Sequence, residues 1–301
     1  MSDTIVRVEK LVRQFGAKRA LNGVSLEVKR GQVHGLVGEN GAGKTTLIKH
    51  LLGLYHVQEG SLNVFDMEPA KNPEGVLSRI GYLSEEPDLP AWMTIAELMR
   101  YTSAFYPGWD GEYADELLRK FDLPVQSKIK NLSKGQKART GLVAAQAHRP
   151  ELLLLDEPSS GLDPIVRRDI VSAIIRTVVD EGRTVLFSSH LLDEVERVSD
   201  VVTMISKGNI VLSGPMEDIL SQHHRVAVDA ETFASNPMNL PEVLSAEKMG
   251  REWLLMCRGE REAVQAMVAR EGSSILSQRG LSLNDIFVLH CGVEATREEV
   301  A

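Results

Sequence analysis

A glycine-rich stretch between two apolar segments constrains the fold of this chain more than any other part of its sequence. The stretch has the spacing G-x-x-x-x-G-K-[ST] and reads Gly38-Glu39-Asn40-Gly41-Ala42-Gly43-Lys44-Thr45-Thr46. An apolar run over 33–37 predicts a strand before it, and a run over 46–52 predicts a helix after it. Glycines let the backbone turn successive N–H groups inward, where they bind phosphate oxygens at a helix N-terminus. A chance glycine-rich turn is the alternative, and the flanking strand and helix argue against it.

The side chains of this loop extend the prediction to a nucleoside triphosphate and its metal ion. Lys44 is expected to reach the β- and γ-phosphates, and the hydroxyl of Thr45 is expected to ligate Mg²⁺. The other predicted nucleotide ligands are the remaining loop residues, Gly38, Glu39, Asn40, Gly41, Ala42, Gly43 and Thr46.

Composition is that of an ordinary globular protein with one large or two medium domains. The chain has 301 residues, of which 43% are hydrophobic and 25% charged, and its formal net charge is −8. That charge argues against general binding to nucleic acid or to an anionic membrane surface. Cys257 and Cys291 lack metal-ligand spacing and are expected to be reduced thiols in a cytosolic protein. We expect no signal peptide at 1–10, and no run approaches the ~18 apolar residues of a spanning helix.

The order of predicted elements indicates an α/β fold followed by a smaller α+β domain. Alternating apolar residues over 6–28 predict two half-buried strands, and apolar runs predict four more at 61–65, 80–83, 152–155 and 184–188. Helices are predicted over 94–105, 112–121, about 136–148 and 165–179, and a hairpin over 201–213. Past residue 220 the predicted strands are short, with one helix over 260–270. We therefore expect two domains, 1–220 and 221–301.

Two acidic residues follow the strand predicted over 152–155. Asp156 is placed to hold Mg²⁺, directly or through water, and Glu157 is the natural general base for an attacking water. Alone, such a pair is also compatible with a solvated strand end. The phosphate-binding loop upstream favours the catalytic interpretation.

Three further segments give the chain a resemblance to a known family. Leu132-Ser133-Lys134-Gly135-Gln136 resembles the signature sequence of ATP-binding-cassette (ABC) proteins. Ser160-Gly161-Leu162-Asp163 resembles their D-loop, and His190 resembles their switch histidine. Alone, the histidine could be a hydrogen-bonded strand end and the signature an ordinary loop. In this order, over about residues 5–215, the five elements resemble the single-cassette subunits of bacterial exporters, whose membrane-spanning partner is a separate polypeptide.

The resemblance implies a P-loop cassette with a mixed-sheet core, an antiparallel β subdomain and a helical subdomain at about 84–150 that contacts the membrane partner. It implies ATP and Mg²⁺ as cofactors, an ATPase whose catalytic residues are Glu157, His190 and Lys44, and a place on the cytoplasmic face of the membrane. Two cassettes, either two copies of this chain or this chain and a different cassette, would enclose each ATP between the P-loop of one and the signature of the other. The signature residues would be Ser133, Lys134, Gly135 and Gln136, with Asp163 of the D-loop beside them. Phe15, expected in a loop between the first two strands, falls where an aromatic ring stacks on adenine.

Two positions depart from the family pattern. Lys134 replaces a glycine of the signature and adds a positive charge near the partner cassette's γ-phosphate. Glu85 replaces the glutamine expected after the strand at 80–83, and we expect its carboxylate to contact Mg²⁺. The alternative is that Glu85 faces solvent, and that Glu86 or no residue takes this role.

Two functions of other classes compete with the ATPase subunit of an exporter. The first is a soluble ABC ATPase acting on ribosomes or DNA, which usually has two cassettes or a long insertion that this chain lacks. The second is an ATP-gated interaction protein without hydrolysis, against which the presence of Glu157 and His190 argues. The cargo is expected to be chosen by the membrane partner.

Overall fold

Three β-sheets organise the chain in a computed structural model that describes residues 3–179 and 182–298. Contacts divide it into two compact units, Met1–Ser213 and Gly214–Ala301, each with its own hydrophobic core. Strands β1 to β9 are Thr4–Phe15, Lys18–Lys29, Val33–Val37, Glu59–Val64, Ile80–Leu83, Leu152–Asp156, Thr184–Ser189, Val201–Ser206 and Asn209–Pro215. Helices α1 to α7 are Lys44–Leu51, Pro73–Leu77, Ile95–Ser103, Gly111–Lys120, Lys134–Gln146, Pro164–Val179 and Leu192–Val198.

A six-stranded sheet carries the phosphate-binding loop. Its order is β5-β6-β7-β3-β8-β9, and the first five strands are parallel. Every residue of β3, β6 and β7 is buried, as is typical of parallel strands covered on both faces. The tight turn between β8 and β9 makes that last pair antiparallel. The prediction of a mixed sheet is therefore confirmed.

A three-stranded antiparallel sheet, in the order β2-β1-β4, shares a core with the mixed sheet. Helix α1 contributes Leu47, Ile48 and Leu51 to that core, and all three are buried. The predicted antiparallel β subdomain is confirmed. Phe15 is the last residue of β1 and pairs with Lys18, so its placement in a loop was wrong, because the turn that follows has only two residues.

Helices α3, α4 and α5 form the helical segment predicted from the sequence. A capping box of Thr94 and Glu97 begins α3, with the Thr94 hydroxyl oxygen accepting the Glu97 N–H at 3.2 Å. Helix α1 begins at Lys44, two residues earlier than predicted, because Gly43 at its N-cap takes a left-handed conformation. Among the described helices, none is long and apolar enough to cross a bilayer.

The second unit is a four-stranded antiparallel sheet with three helices. Strands β10 to β13 are His223–Asp229, Val243–Met249, Glu252–Arg258 and Ile275–Gly280, in the order β11-β12-β10-β13. Helices α8 to α10 are Met216–Ser221, Arg261–Arg270 and Leu283–Glu298. Cys257 is buried in its core, and burial raises the pKa of that thiol to about 12. The independence of the two domains stays a prediction.

Candidate active site

The backbone of the phosphate-binding loop fits only glycine at two of its positions. A Cβ on Gly38 would lie 2.3 Å from the carbonyl oxygen of Ile205, and one on Gly43 would lie 2.7 Å from that of Ala20. Gly43 also has a φ of 118°, which side chains disfavour. The loop therefore wraps closely between β8 and β2, with the first N–H groups of α1 behind it.

Lys44 lies at the centre of this loop, almost completely buried. Its Nζ donates to the carbonyl oxygens of Gly38 at 2.6 Å and Glu39 at 3.2 Å. The third partner is the carboxylate of Glu157, whose Oε1 lies 3.0 Å away, and the two side chains are only 5% and 7% exposed. In this state a carboxylate holds the cation that was predicted to bind phosphate.

Two of the three predicted metal ligands, Thr45 and Asp156, are in contact with each other. The Thr45 side chain hydrogen-bonds Asp156, whose Oδ1 also accepts from the Ser188 hydroxyl at 2.7 Å. Burial raises the pKa of the Asp156 carboxyl, and these two hydrogen bonds oppose the shift. Burial, with the nearby Asp156 charge, also raises the pKa of Tyr82 to about 12.

The donor set fits a hard, oxygen-seeking cation. A hydroxyl and a carboxylate are the ligand types that Mg²⁺ takes from proteins, with phosphates and water completing the octahedron. Across the described residues, no group of three His, Cys, Asp or Glu converges on a metal position.

Glu157 is held from three sides. Its N–H lies 2.9 Å from the Ser188 hydroxyl oxygen, and His190 contacts its Oε2 through Nδ1 at 2.7 Å and the backbone N–H at 3.2 Å. The residue has a φ of 50°, an unusual value for glutamate that turns the chain sharply after β6. The carboxylate is thus fixed between Lys44 and His190.

A cavity of about 340 Å³ opens above the loop. It brings together most of the predicted nucleotide ligands, with Glu157 and Glu85 beside them. Its lining is Phe15, Lys18, Ala20, Glu39, Asn40, Gly41, Gly43, Lys44, Thr45, Thr46, Glu85 and Glu157. Gly38 and Ala42 lie in the loop behind this lining. Lys18 and Ala20 also line the cavity but were not predicted as nucleotide ligands. Their position near Phe15, at the start of the next predicted strand, could have indicated this.

The signature and D-loop residues lie outside this cavity. Ser133 caps α5, accepting the Gln136 N–H at 3.2 Å, and its hydroxyl hydrogen stays available for another acceptor. Gly135 is buried against α6, where a Cβ would meet Val166 at 2.7 Å. Asp163 caps α6 by accepting the N–H groups of residues 165 and 166.

Lys134 belongs to a separate cavity of about 330 Å³. The lining of this second cavity is Glu85, Glu86, Pro87, Lys134, Lys137, Ala138, Pro158, Ser160 and Leu162. Glu85 is exposed and lines both cavities. Within one chain, therefore, Glu85 approaches the phosphate loop, whereas the signature does not.

Comparisons with known proteins agree with this geometry. The ABC transporter family model matches residues 21–160. The chain is 35% identical to the ABC transporter ATP-binding protein YdbJ of Bacillus subtilis, covering 70% of this chain and 69% of that protein. It is 32% identical to the bacitracin transport ATP-binding protein BcrA of Bacillus licheniformis, covering 74% and 73%.

A solved structure agrees as well. It is described as the ATP-binding subunit of an ABC transporter, is 31% identical to this chain, and superimposes with a TM-score of 0.67 over 72% of this chain and 92% of that one. The phosphate loop, the acidic pair and the signature all lie within residues 21–160, which the family model matches. The chain therefore belongs to the ABC transporter family, as an ATP-binding subunit.

Proposed function

We propose that this subunit hydrolyses ATP with Mg²⁺ and drives transport through a separate membrane-spanning protein. The contact of Glu157 with both Lys44 and His190 is the observation that supports hydrolysis most directly. A binding-only cassette has no need of a buried carboxylate fixed beside the phosphate loop by a histidine. Glu157 instead has the position and the partners of a general base.

Each residue of the site has its own role in the proposed reaction. Lys44 and the loop N–H groups bind the β- and γ-phosphates, while Thr45 and Asp156 would hold Mg²⁺, with Glu85 reaching toward it. When bound, the ion neutralises charge on the phosphate oxygens. Glu157 accepts a proton from water attacking in line with the leaving oxygen, and His190 holds that carboxylate in place. Phe15 stacks on the adenine ring.

Hydrolysis requires a second cassette, because Ser133 and Gly135 lie away from the cavity of their own chain. We propose that two cassettes pair about a two-fold axis, so that each signature meets the other's nucleotide. The free hydroxyl hydrogen of Ser133 and the N-terminus of α5 suit the γ-phosphate. Asp163 and the rest of the D-loop lie beside this surface. Loss of the γ-phosphate removes the bridge and lets the pair open.

Export is the proposed direction, since a relative from Burkholderia lata, 28% identical over 94% of this chain, is named a Nod factor export ATP-binding protein. We propose that this chain works on the cytoplasmic face of the membrane, bound to its partner through the helical segment around α3 to α5. Nucleic acid is not a proposed partner, because the net charge of −8 would repel it.

Phosphate release tests the proposal. The wild-type chain with ATP and Mg²⁺ should release phosphate, Lys44→Ala should lose nucleotide binding, and Glu157→Gln should bind ATP but turn it over very slowly. Lys49→Ala is a matched control, since Lys49 lies on the same helix and does not line the cavity. Full turnover by Glu157→Gln would contradict the assignment of the base.

Dimerisation is tested in the same variant. Glu157→Gln with ATP should elute as a dimer on size exclusion, and adding Ser133→Arg should abolish the dimer without weakening ATP binding to the monomer. Weaker binding by the monomer would mean that the signature acts within its own chain.

A further inference from the structure

A cationic and aromatic cluster lies at the end of β1 that carries Phe15. The Arg13 guanidinium carbon is 4.5 Å from the ring centroid of Phe15 and 4.5 Å from that of Tyr55. The two rings meet edge to face, with centroids 5.5 Å apart. Arg13 also donates from Nη1 to the carbonyl oxygen of His56 at 3.4 Å. The ring of Phe15 is thus supported by a guanidinium and a second aromatic ring.

This cluster is linked to the phosphate-binding loop through α1. Tyr55 follows α1 and contacts the ring of His50, with centroids 5.3 Å apart. His50 is buried in the last turn of α1, and its Nδ1 donates at 2.8 Å to the carbonyl oxygen of Thr46, which lies in the first turn of α1 and ends the phosphate-binding motif. Contacts therefore run without a break from the phosphate loop, through His50 and Tyr55, to Arg13 and Phe15.

Two hydrogen bonds also hold the backbone beside Phe15. The N–H of Gln14 donates to Oε1 of Gln58 at 2.7 Å, and Nε2 of Gln58 donates back to the carbonyl oxygen of Gln14 at 3.3 Å. Gln58 and Tyr55 both belong to the segment that follows α1. The segment after the phosphate-loop helix therefore fixes the strand end that carries Phe15.

Phe15 needs this support because it is 41% exposed and lies at a strand end. An exposed ring that rotates freely loses side-chain entropy when a base stacks on it, and that loss weakens binding. A ring already held against a guanidinium and a second ring loses less. The guanidinium covers part of the ring, while the ring also lines the nucleotide cavity.

We propose that Arg13 and Tyr55 are positioning residues for the nucleotide base. They hold the Phe15 ring in place and keep it at a fixed distance from the phosphate loop, so that an adenine nucleotide meets both at once. The inference rests on the proposed nucleotide site and adds to it the residues that set base affinity. Arg13 itself does not line the nucleotide cavity.

Binding of two ligands tests the proposal. Arg13→Ala should weaken ATP binding about threefold, as expected for loss of an exposed cation–π contact, and leave tripolyphosphate binding unchanged. Tyr55→Ala should act in the same way, and Arg13→Lys should give an intermediate loss, because lysine keeps the charge without the planar group. In steady-state hydrolysis the change should fall on KM and leave kcat alone, since base stacking is equal in ground and transition states.

Arg7→Ala is the matched control. Arg7 lies on the same strand, pairs with Glu27 at 3.1 Å, and should leave both ligands bound as in the wild type. A double-mutant cycle with Phe15→Leu completes the test: in that background Arg13→Ala should have no further effect on ATP binding.

Three outcomes would overturn the proposal. Tighter ATP binding by Arg13→Ala would show that the guanidinium occupies the face on which the base stacks. Equal weakening of ATP and tripolyphosphate would show a general structural role, and additive losses in the cycle would show that Arg13 acts apart from Phe15. A wild-type chain that binds neither ligand would instead contradict the proposed nucleotide site itself.

Discussion

Replacing Glu157 with glutamine should tighten nucleotide binding as well as slow hydrolysis. In the structure the Glu157 carboxylate holds Lys44, so a phosphate must take the cation away from it. At 3.0 Å and an effective dielectric constant of about 20, that attraction amounts to about 5 kcal/mol. Glutamine keeps the shape and removes the charge, which also relieves repulsion between the carboxylate and the incoming phosphates.

The net gain is smaller than the Coulomb attraction. The neutral amide retains a dipolar contact with Lys44, and a buried carboxylate has already lost hydration that the cation only partly replaces. We take about a third of the attraction, about 1.5–2 kcal/mol, which corresponds to roughly 10- to 30-fold tighter binding. Lys44 keeps its two carbonyl partners in the variant, so the loop should stay folded.

Calorimetric titration with ADP and a metal chelator isolates this effect. ADP lacks the γ-phosphate that would bridge two cassettes and that hydrolysis would remove, and the chelator takes away the positive charge of the metal ion. Glu194→Gln is the control, because the Glu194 carboxylate lies close by in the fold but bonds to the Ser159 hydroxyl at 2.5 Å and makes no ion pair with Lys44. Equal or weaker ADP binding by Glu157→Gln would refute the competition between carboxylate and phosphate.

The other predictions concern the metal, stability and domain organisation. Glu85→Gln should need more Mg²⁺ for its half-maximal ATPase rate, with a modest change in the maximum; superimposable titrations would remove Glu85 from the metal site. Burial lowers the pKa of His34 to about 4. Between pH 6.5 and 4, therefore, His34 takes up a proton in the unfolded chain but stays neutral in the folded chain. Stability from this residue is complete above pH 6.5 and is lost as the pH falls toward 4, by about 1.4 kcal/mol per pH unit. The free energy of unfolding, measured with urea, should be lower at pH 5 than at pH 6.5, and this difference should be smaller in His34→Gln. An equal difference in the two proteins would contradict the prediction. Removing residues 221–301 should leave ATP binding by calorimetry intact, and loss of binding by a folded truncation would contradict the two-domain division.

Local sequence patterns predicted most of the helices and strands, because in those segments the pattern of apolar residues and the residues at the ends indicate the same structure. The strands β3 and β6 are short apolar runs next to glycine or proline, and α3 begins with a capping box. Strand β11, over Val243–Met249, was missed, because its alanine, glutamate and lysine have low strand propensity and pairing with β12 decides its conformation. Helix α10 was also missed, although Ser282 and Asp285 form a reciprocal capping pair that the sequence displays.

The site shows the same division between local and non-local information. Phosphate loop, acidic pair and signature are contiguous motifs, so the sequence reveals them. The ion pair of Glu157 with Lys44 and the cluster around Arg13 join segments that are distant in sequence. Their existence depends on which strands become neighbours, and no local pattern specifies that. Ser188 illustrates the point: it is an ordinary strand residue until β7 aligns beside β6 and places its hydroxyl between the two acidic residues.

The nucleotide cavity takes its walls from two different sheets. Phe15, Lys18 and Ala20 come from the antiparallel sheet, whereas the phosphate loop follows a strand of the mixed sheet. A nucleotide that touches both acts as a non-covalent cross-link between them. Amide hydrogens of β1 and β2 should then exchange with solvent more slowly when nucleotide is bound, because local opening of either sheet would require the nucleotide to leave.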